Sequence, residues 1–324
     1  MNTSMLWALS LALVGASTLA GAADVRSYPD RPIRMIVPNA PGSSVDTLSR
    51  IMSSKLSEVL GQQVVTDNRA GAGGIIGMEI AKLATPDGYT MIAATTAAST
   101  IAVQLLKKPT FDPVKDYDYV AQFAETPNVL VVTPSLPVKS VKELIAYCKS
   151  KNGEVNMASA GSGSQSHLSG SYFLQAGQFK SVHVPYKGGG ASVASVIAGE
   201  SQWTLTPAPA VMSFVSSGRL RALGHSLPKR SVLLGDIPAI AETIPGFDYS
   251  GWQGFFVPKG TPKAIVDKLR AAVTKTANLP EVKKLLASQA TEVVIRGPAE
   301  FRKVVQESME KNAKVIKEVG LKID

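Results

Sequence analysis

The sequence predicts an α/β protein of two domains, each a mostly parallel sheet flanked by helices, and three observations carry that prediction. Apolar runs alternate with segments whose apolar residues recur at spacings of three and four, the order of strands and helices in a parallel sheet. The alternation restarts beyond position 150, which points to a second unit inserted into the first, with crossings near Glu125-Thr126-Pro127 and Gly224-His225. A chain of 324 residues is long enough to hold two cores.

The elements follow in order. Leu6 to Val14 is an apolar stretch followed by small residues, with cleavage frames at Ala20-Gly21-Ala22 and Gly21-Ala22-Ala23. Residues 1–23 therefore read as a signal peptide cleaved near Ala22 or Ala23, although no Lys or Arg precedes the apolar run. Ile33 to Val37 reads as a buried strand and Val45 to Leu60 as an amphipathic helix. Between them, Asn39-Ala40-Pro41-Gly42-Ser43-Ser44-Val45-Asp46 carries a turn, Ser43 as N-cap and Asp46 as the acidic half of a capping box. A helix N-terminus after a strand is an anion site in principle, and on these residues alone the loop reads equally well as a simple cap.

A second strand at Gln63 to Thr66, a glycine loop at Gly71 to Gly74, a helix from Ile75 to Ala84 and a third strand from Tyr89 to Ala94, ending in Thr95-Thr96, complete the first series. Val129 to Thr133 is a strand, and Ser140 opens a helix with Glu143 at the capping-box position. The second series runs through strand Val155 to Ser159, a helix from His167, strand Val182 to Tyr186, the loop Lys187 to Gly190 with its helix, and strand Gln202 to Thr206. Helical patterns at Pro262 to Ala277 and Pro298 to Val319, each with proline at N1, return to cover the first domain.

The loop Ser159-Ala160-Gly161-Ser162-Gly163-Ser164-Gln165-Ser166-His167 mirrors the first one: it follows a strand, is rich in small polar residues and precedes a helix. Two such loops facing each other at the carboxyl ends of strands describe a ligand cleft. Catalysis fits the same residues poorly, because Ser164 and Ser166 lie too near His167 along one helix start to face it, and Gly161-Ser162-Gly163 lacks the spacing of a nucleophile elbow. Gly71-Ala72-Gly73-Gly74-Ile75-Ile76-Gly77 has G-x-G-x-x-x-G spacing, not that of a dinucleotide site. Three separate histidines and the single Cys148 form no metal-ligand pattern and no intrachain disulfide. The formal charge of +9 favours acidic partners of some kind, and without a basic run or an aromatic-lined basic stripe the pattern does not support nucleic acid.

Several motifs stand in a recognisable order: Tyr28-Pro29-Asp30-Arg31-Pro32-Ile33, Val37-Pro38 to Asp46, Asn68-Arg69 with Gly71 to Gly74, and Pro86-Asp87-Gly88-Tyr89. Pro127-Asn128-Val129, Ala158 to Ser164 with His167-Leu168, His183-Val184-Pro185-Tyr186-Lys187-Gly188, Asp236-Ile237-Pro238 and Trp252 to Pro262 follow. With them, almost the whole chain from Tyr28 to Gly320 resembles the periplasmic solute-binding proteins of tripartite tricarboxylate transporters, the TctC or Bug family. The resemblance implies a two-lobed, type II periplasmic-binding-protein fold, a Venus flytrap that closes on a small organic carboxylate without catalysis, metal or cofactor. It implies residence in the periplasm, a monomer, and membrane components of such a transporter as partner. A periplasmic sensing receptor is the alternative, and a transcription-factor effector domain is disfavoured because a signal segment, not a helix-turn-helix, precedes Tyr28.

On that basis lobe 1 is expected at 24–125 plus 225–324 and lobe 2 at 126–224. The expected ligand set in lobe 1 is Asn39, Pro41, Gly42, Ser43, Ser44, Asp46, Gly73 and Thr96. In lobe 2 it is Ser159, Gly161, Ser162, Gly163, Ser164, His167, Lys187, Gly188, Thr206 and Pro207. Three positions depart from the family pattern: Asn39 stands in place of an aromatic, Ser43 in place of glycine, and Thr206-Pro207-Ala208-Pro209 in place of an acidic or amide pair. The resemblance sets that last loop against the distal end of the ligand, so the departure implies a less polar distal group, and the family's specificity does not carry over.

Overall fold

Strand β1 (Ile33–Val37) shows why the first sheet has helices on both sides. In this computed structural model, which describes residues 27–321, Ile33, Met35 and Val37 pack against Leu48, Met52 and Leu56 of α1 (Ser44–Leu60). Ile36 turns to the opposite core, against Ile75 and Met78 of α2 (Ile75–Lys82). A strand covered on both faces reads as a nearly unbroken apolar run, which is how this one looks in the sequence. The expected signal peptide, 1–23, lies outside the described residues. Among the described residues no helix is long and apolar enough to cross a membrane.

β1 pairs in parallel with β2 (Val64–Asn68) and β3 (Thr90–Thr95), as the alternation predicts. After β3 the chain makes a π-helical turn, Ala97–Ala102, and a short α3 (Val103–Leu105). From there the sheet is mixed, a correction to the mostly parallel expectation. β4 (Tyr117–Val132) is 16 residues long and starts well before the expected Val129, and it belongs to both halves of the molecule. Its first part, through Pro127, runs antiparallel to β9 (Ser250–Pro258), which also pairs antiparallel with β3. Its last part, Asn128 to Val132, runs antiparallel to β7 (Trp203–Pro207) and β8 (Arg221–His225).

The second half repeats the first. α4 (Val141–Ser150), capped by Ser140 with Glu143 answering, leads to β5 (Asn156–Ser159), α5 (Gln165–Ala176), β6 (Val182–Pro185) and α6 (Gly189–Ala198). β5 is parallel to both β6 and β7. One core joins Leu130, Leu144, Cys148, Phe173 and Trp203, and the other face of that sheet buries Val129, Val131, Val193 and Val196. Cys148 is wholly buried, and burial pushes its thiol up to about 12, so it behaves as an apolar filler.

Ile240, Phe247 and Tyr249, which fall in the stretch expected with the first half, share a core with Leu144, Phe173 and Trp203. At the outward crossing, the buried Asn128 ties the two passes together: its amide N–H donates to Ser226 Oγ (2.9 Å) and its side chain to Tyr249 O (2.6 Å). α7 (Met212–Ser216) lies between β7 and β8. After β9 come α8 (Lys263–Asn278), α9 (Pro280–Ser288), β10 (Glu292–Arg296) and α10 (Pro298–Glu318). Pro298 and Pro280 occupy first-turn positions, whereas Pro262, expected at N1, caps α8 from outside. α10 packs Phe301 and Val305 on the first half and Val315 on the second.

Candidate functional site

β1 and β5 each run into the same construction. In Ala40-Pro41-Gly42-Ser43 the Ser43 N–H donates to Ala40 O (3.3 Å), and in Gly161-Ser162-Gly163-Ser164 the Ser164 N–H donates to Gly161 O (3.1 Å). Gly42 and Gly163 both hold φ +76°, the left-handed value that a type II turn requires at its third position. The turn's last residue is the helix N-cap: Ser43 (φ −74°, ψ 161°) accepts from Asp46 N, and Ser164 (φ −75°, ψ 163°) from His167 N. The side chain three residues beyond each cap then reaches back. Gly42 N donates to Asp46 Oδ2 (2.9 Å), and Gly163 N donates to His167 Nδ1 (3.2 Å).

With those bonds made, the amides of Ser44 and Val45 on α1 and of Gln165 and Ser166 on α5 have no partner among the described residues. All four residues line one cavity of about 610 Å³ between the two lobes. Each lobe thus turns a helix N-terminus, with its partial positive charge and unpaired donors, into the same space. Its floor is the strand ends: Thr95 and Thr96, Thr126 of β4, and Gly251, Trp252 and Gln253 of β9. Ile75, Leu106 and Ala210 add apolar wall, and Lys187 is the one charged side chain among the described lining residues.

Glycines let the lobes meet at the cavity mouth. A Cβ on Gly188 (φ +112°) would lie 2.9 Å from the Ala40 Cβ, and one on Gly73 (φ +68°) would lie 2.9 Å from the Ala102 Cβ and 3.7 Å from the carbonyl oxygens of Ser162 and Gly163. Gly188 therefore permits close approach across the cleft, whereas the tight contact at Gly73 is with Ala102 of the π-helical turn in its own half.

Of the expected ligand set, Asn39, Ser43, Ser44, Gly73, Thr96, Gly161, Ser162, Ser164, Lys187, Gly188, Thr206 and Pro207 line the cavity. Pro41, Gly42, Asp46, Ser159, Gly163 and His167 do not; they build the two loops from behind. Asp46 is 4% exposed and fully engaged, accepting from Gly42 N, Arg50 Nε (3.0 Å) and Asn68 Nδ2 (2.9 Å). Burial alone would raise its pKa, but those three donors outweigh it and hold the carboxyl below its ordinary value. The Ser43 N–H, expected to face a ligand, is likewise spent inside the turn.

His167 is 7% exposed and lies flat against His183, ring centroids 3.8 Å apart and planes within 5°. Because Nδ1 accepts from Gly163, the ring is the neutral tautomer with its proton on Nε2. Burial, then the neighbouring His183, brings its pKa down to about 4. His183, also lowered by burial, sits with Nε2 2.6 Å from Ser159 Oγ, and that hydroxyl accepts from Gly161 N (3.2 Å). The histidine pair therefore props the second loop at two amides, and among the described residues the His167 ring makes no bond to a serine hydroxyl.

Val45, Thr126, Gln165, Ser166, Gly251 and Gln253 are lining residues outside the expected set. Val45, Gln165 and Ser166 were within reach of sequence reasoning, since they directly follow the caps. Thr126, Gly251 and Gln253 were not, because their place depends on the pairing of β4 with β9.

Comparison with known proteins follows the same lines. A family model described as "Tripartite tricarboxylate transporter family receptor" matches residues 48–321. Protein BugT of Bordetella pertussis is 33% identical over 326 residues, covering 100% of both chains. Among solved structures, an R. palustris protein with adipate superimposes with a TM-score of 0.88 at 31% identity, over 90% of this chain and 98% of its own. MatC from Rhodopseudomonas palustris, with bound malate, gives 0.84 at 29% identity, over 89% and 100%.

Proposed function

We propose that this chain, which belongs to the tripartite tricarboxylate transporter receptor family, captures a small organic carboxylate outside the cytoplasmic membrane and delivers it to the membrane components of such a transporter. One observation carries the ligand class: two helix N-termini from opposite lobes present the unpaired amides of Ser44, Val45, Gln165 and Ser166 to one cavity. A carboxylate is acceptor-only and anionic, so it suits both termini, and Lys187 adds a full positive charge. Relatives solved with adipate and malate support the same class.

Binding of this kind works by closure. We take the lobes to part within β4 at 126–128 and, on the return, at 249–250. The change of strand partner at Pro127 supports the first boundary, and the packing of Phe247 and Tyr249 with the second core supports the other. A ligand touching both lobes favours the shut state by its extra contacts there, which gives the membrane partner a shape to read.

Thermal unfolding against a panel of mono-, di- and tricarboxylates tests the ligand class: a true ligand at 100 times its Kd adds about 2.7 kcal/mol. A folded protein that no carboxylate stabilises would rule the reading out. Gly188→Ala tests closure, since the new methyl meets Ala40; affinity should fall for every ligand, and unchanged affinity would show that this contact does not belong to the bound state. Capture of transporter membrane subunits by liganded protein, compared with capture of a membrane sensor, tests the delivery step.

A further inference from the structure

At the cavity floor, counting partners among the described residues, polar atoms closed off from solvent remain that the two helix termini do not explain. Gln165 is 7% exposed and lines the cavity, yet neither its Nε2 nor its Oε1 has a hydrogen-bond partner. Gln253, 6% exposed, donates from Nε2 to Ser44 Oγ (3.2 Å) and leaves Oε1 unpaired. Thr126, 3% exposed, has an unpaired Oγ1.

The strand pairing gathers these atoms into one place. Thr126 lies opposite Gly251 in the β4–β9 register, and Gln253 is two residues further along the same face of β9. The Gln165 amide packs over Gly251, whose Cβ direction points to Nε2 at 3.5 Å. Buried carboxamides without partners destabilise a fold, and native structures hold few of them. A group of such atoms just behind a cavity wall, on side chains that line it, points to a ligand that completes them once those side chains turn toward it.

The chemistry of that group narrows by elimination. A second carboxylate accepts only, so it would leave both glutamine oxygens unpaired; an ammonium donates only and would leave the Gln165 amide N–H groups unpaired. An alkyl chain would leave all of them so. We propose that Thr126, Gln165 and Gln253, at the hinge end of the cavity, form a subsite for an uncharged ligand group that donates and accepts hydrogen bonds at once, a hydroxyl or a carboxamide. This rests on the carboxylate reading and names the second functional group of the same ligand.

Calorimetric titration with matched acids tests it: succinate, glutarate and propionate, each beside its 2-hydroxy counterpart and, for the diacids, the mono-amide. In the series that binds, the hydroxyl or carboxamide member should bind about tenfold or more tightly than the plain acid, because a site built for such a group rejects the analogue lacking it. Which of the two wins decides between hydroxyl and carboxamide. Gln165→Leu and Thr126→Val should each shrink that preference, read as the ratio of the paired affinities within one protein. Ligand-free Gln165→Leu should melt at or above the wild-type temperature, since an apolar replacement removes an unpaired amide. Equal affinities within every series, a preference that survives both substitutions, or a Gln165→Leu protein that melts well below wild type would overturn the subsite and leave carboxylate binding standing. A protein that binds no acid in any series overturns the carboxylate reading, and the subsite with it.

Discussion

The turn into α1 and the turn into α5 share one backbone, and different side chains hold it. Behind the first, an ionised carboxylate takes the glycine amide; behind the second, a neutral imidazole does. A buried anion next to an anion site would oppose its ligand, and in the α1 turn Arg50 offsets that charge from the solvent side of Asp46. The α5 turn needs no counter-charge, because the stacked pair His167 and His183 is uncharged at neutral pH. The difference teaches that helix-terminal amides can be aimed by an ion pair or by neutral rings, and that the choice sets the pH at which the aim fails.

Acid should break the two turns at different points, and this is the largest expected effect. A histidine whose folded pKa of about 4 lies below its unfolded value of roughly 6.5 holds fewer protons when folded. Its stabilisation is therefore complete above that unfolded value and is lost as the pH falls from there through 4; the full shift corresponds to about 3 kcal/mol. Asp46 has the carboxylate sign: its contribution is present above roughly 3.9 and is lost only as the pH falls through its lower folded value. Urea unfolding of wild type and His167→Gln at pH 7, 5.5 and 4 measures this. Glutamine keeps an acceptor for Gly163 N and does not titrate, so the variant should lose less stability across that range; parallel curves would remove His167 from the account.

Ser44→Pro sharpens the comparison from the α1 side. Proline fits the first helical position, and Ser43 already has the extended backbone that precedes a proline, so the fold should persist. One unpaired amide facing the cavity disappears, and a charge-assisted hydrogen bond is worth about 1.5 to 3 kcal/mol, or tenfold and more in Kd by titration. Unchanged affinity would mean that α1 caps a helix and does no more.

Ser162→Pro tests the α5 side with the smallest expected effect. Ser162 stands where the first turn has Pro41, the position at which a type II turn favours proline. The substitution copies the first turn onto the second and should cost severalfold in affinity, roughly 1 kcal/mol, if the Ser162 amide meets the ligand. A loss as large as that of Ser44→Pro would make the second turn the main anion grip.

Both turns were legible in outline. Ser43 with Asp46 marks a capping box, the strand and helix around it have clear periods, and Ser159 to His167 repeats the arrangement. Which atoms of those loops face the ligand was not legible, because facing depends on hydrogen bonds already made within the turn. Asp46, His167 and the Ser43 amide look like ligand groups in sequence and are consumed locally in the fold. The return we propose at 249–250 was hidden for a similar reason: residues 226–249 contain little regular structure, and only the contacts of Ile240, Phe247 and Tyr249 show which core they join.

By itself the sequence determined the local units: where strands give way to helices, which serines cap them, and where glycine must supply a left-handed turn. These follow from interactions between residues a few positions apart. The tertiary structure alone decided that β4 serves both lobes, that β9 returns beside it, and that Thr126, Gln165 and Gln253 meet on one floor. Those partners are separated by long stretches of chain, and no local period records a pairing made across such a distance.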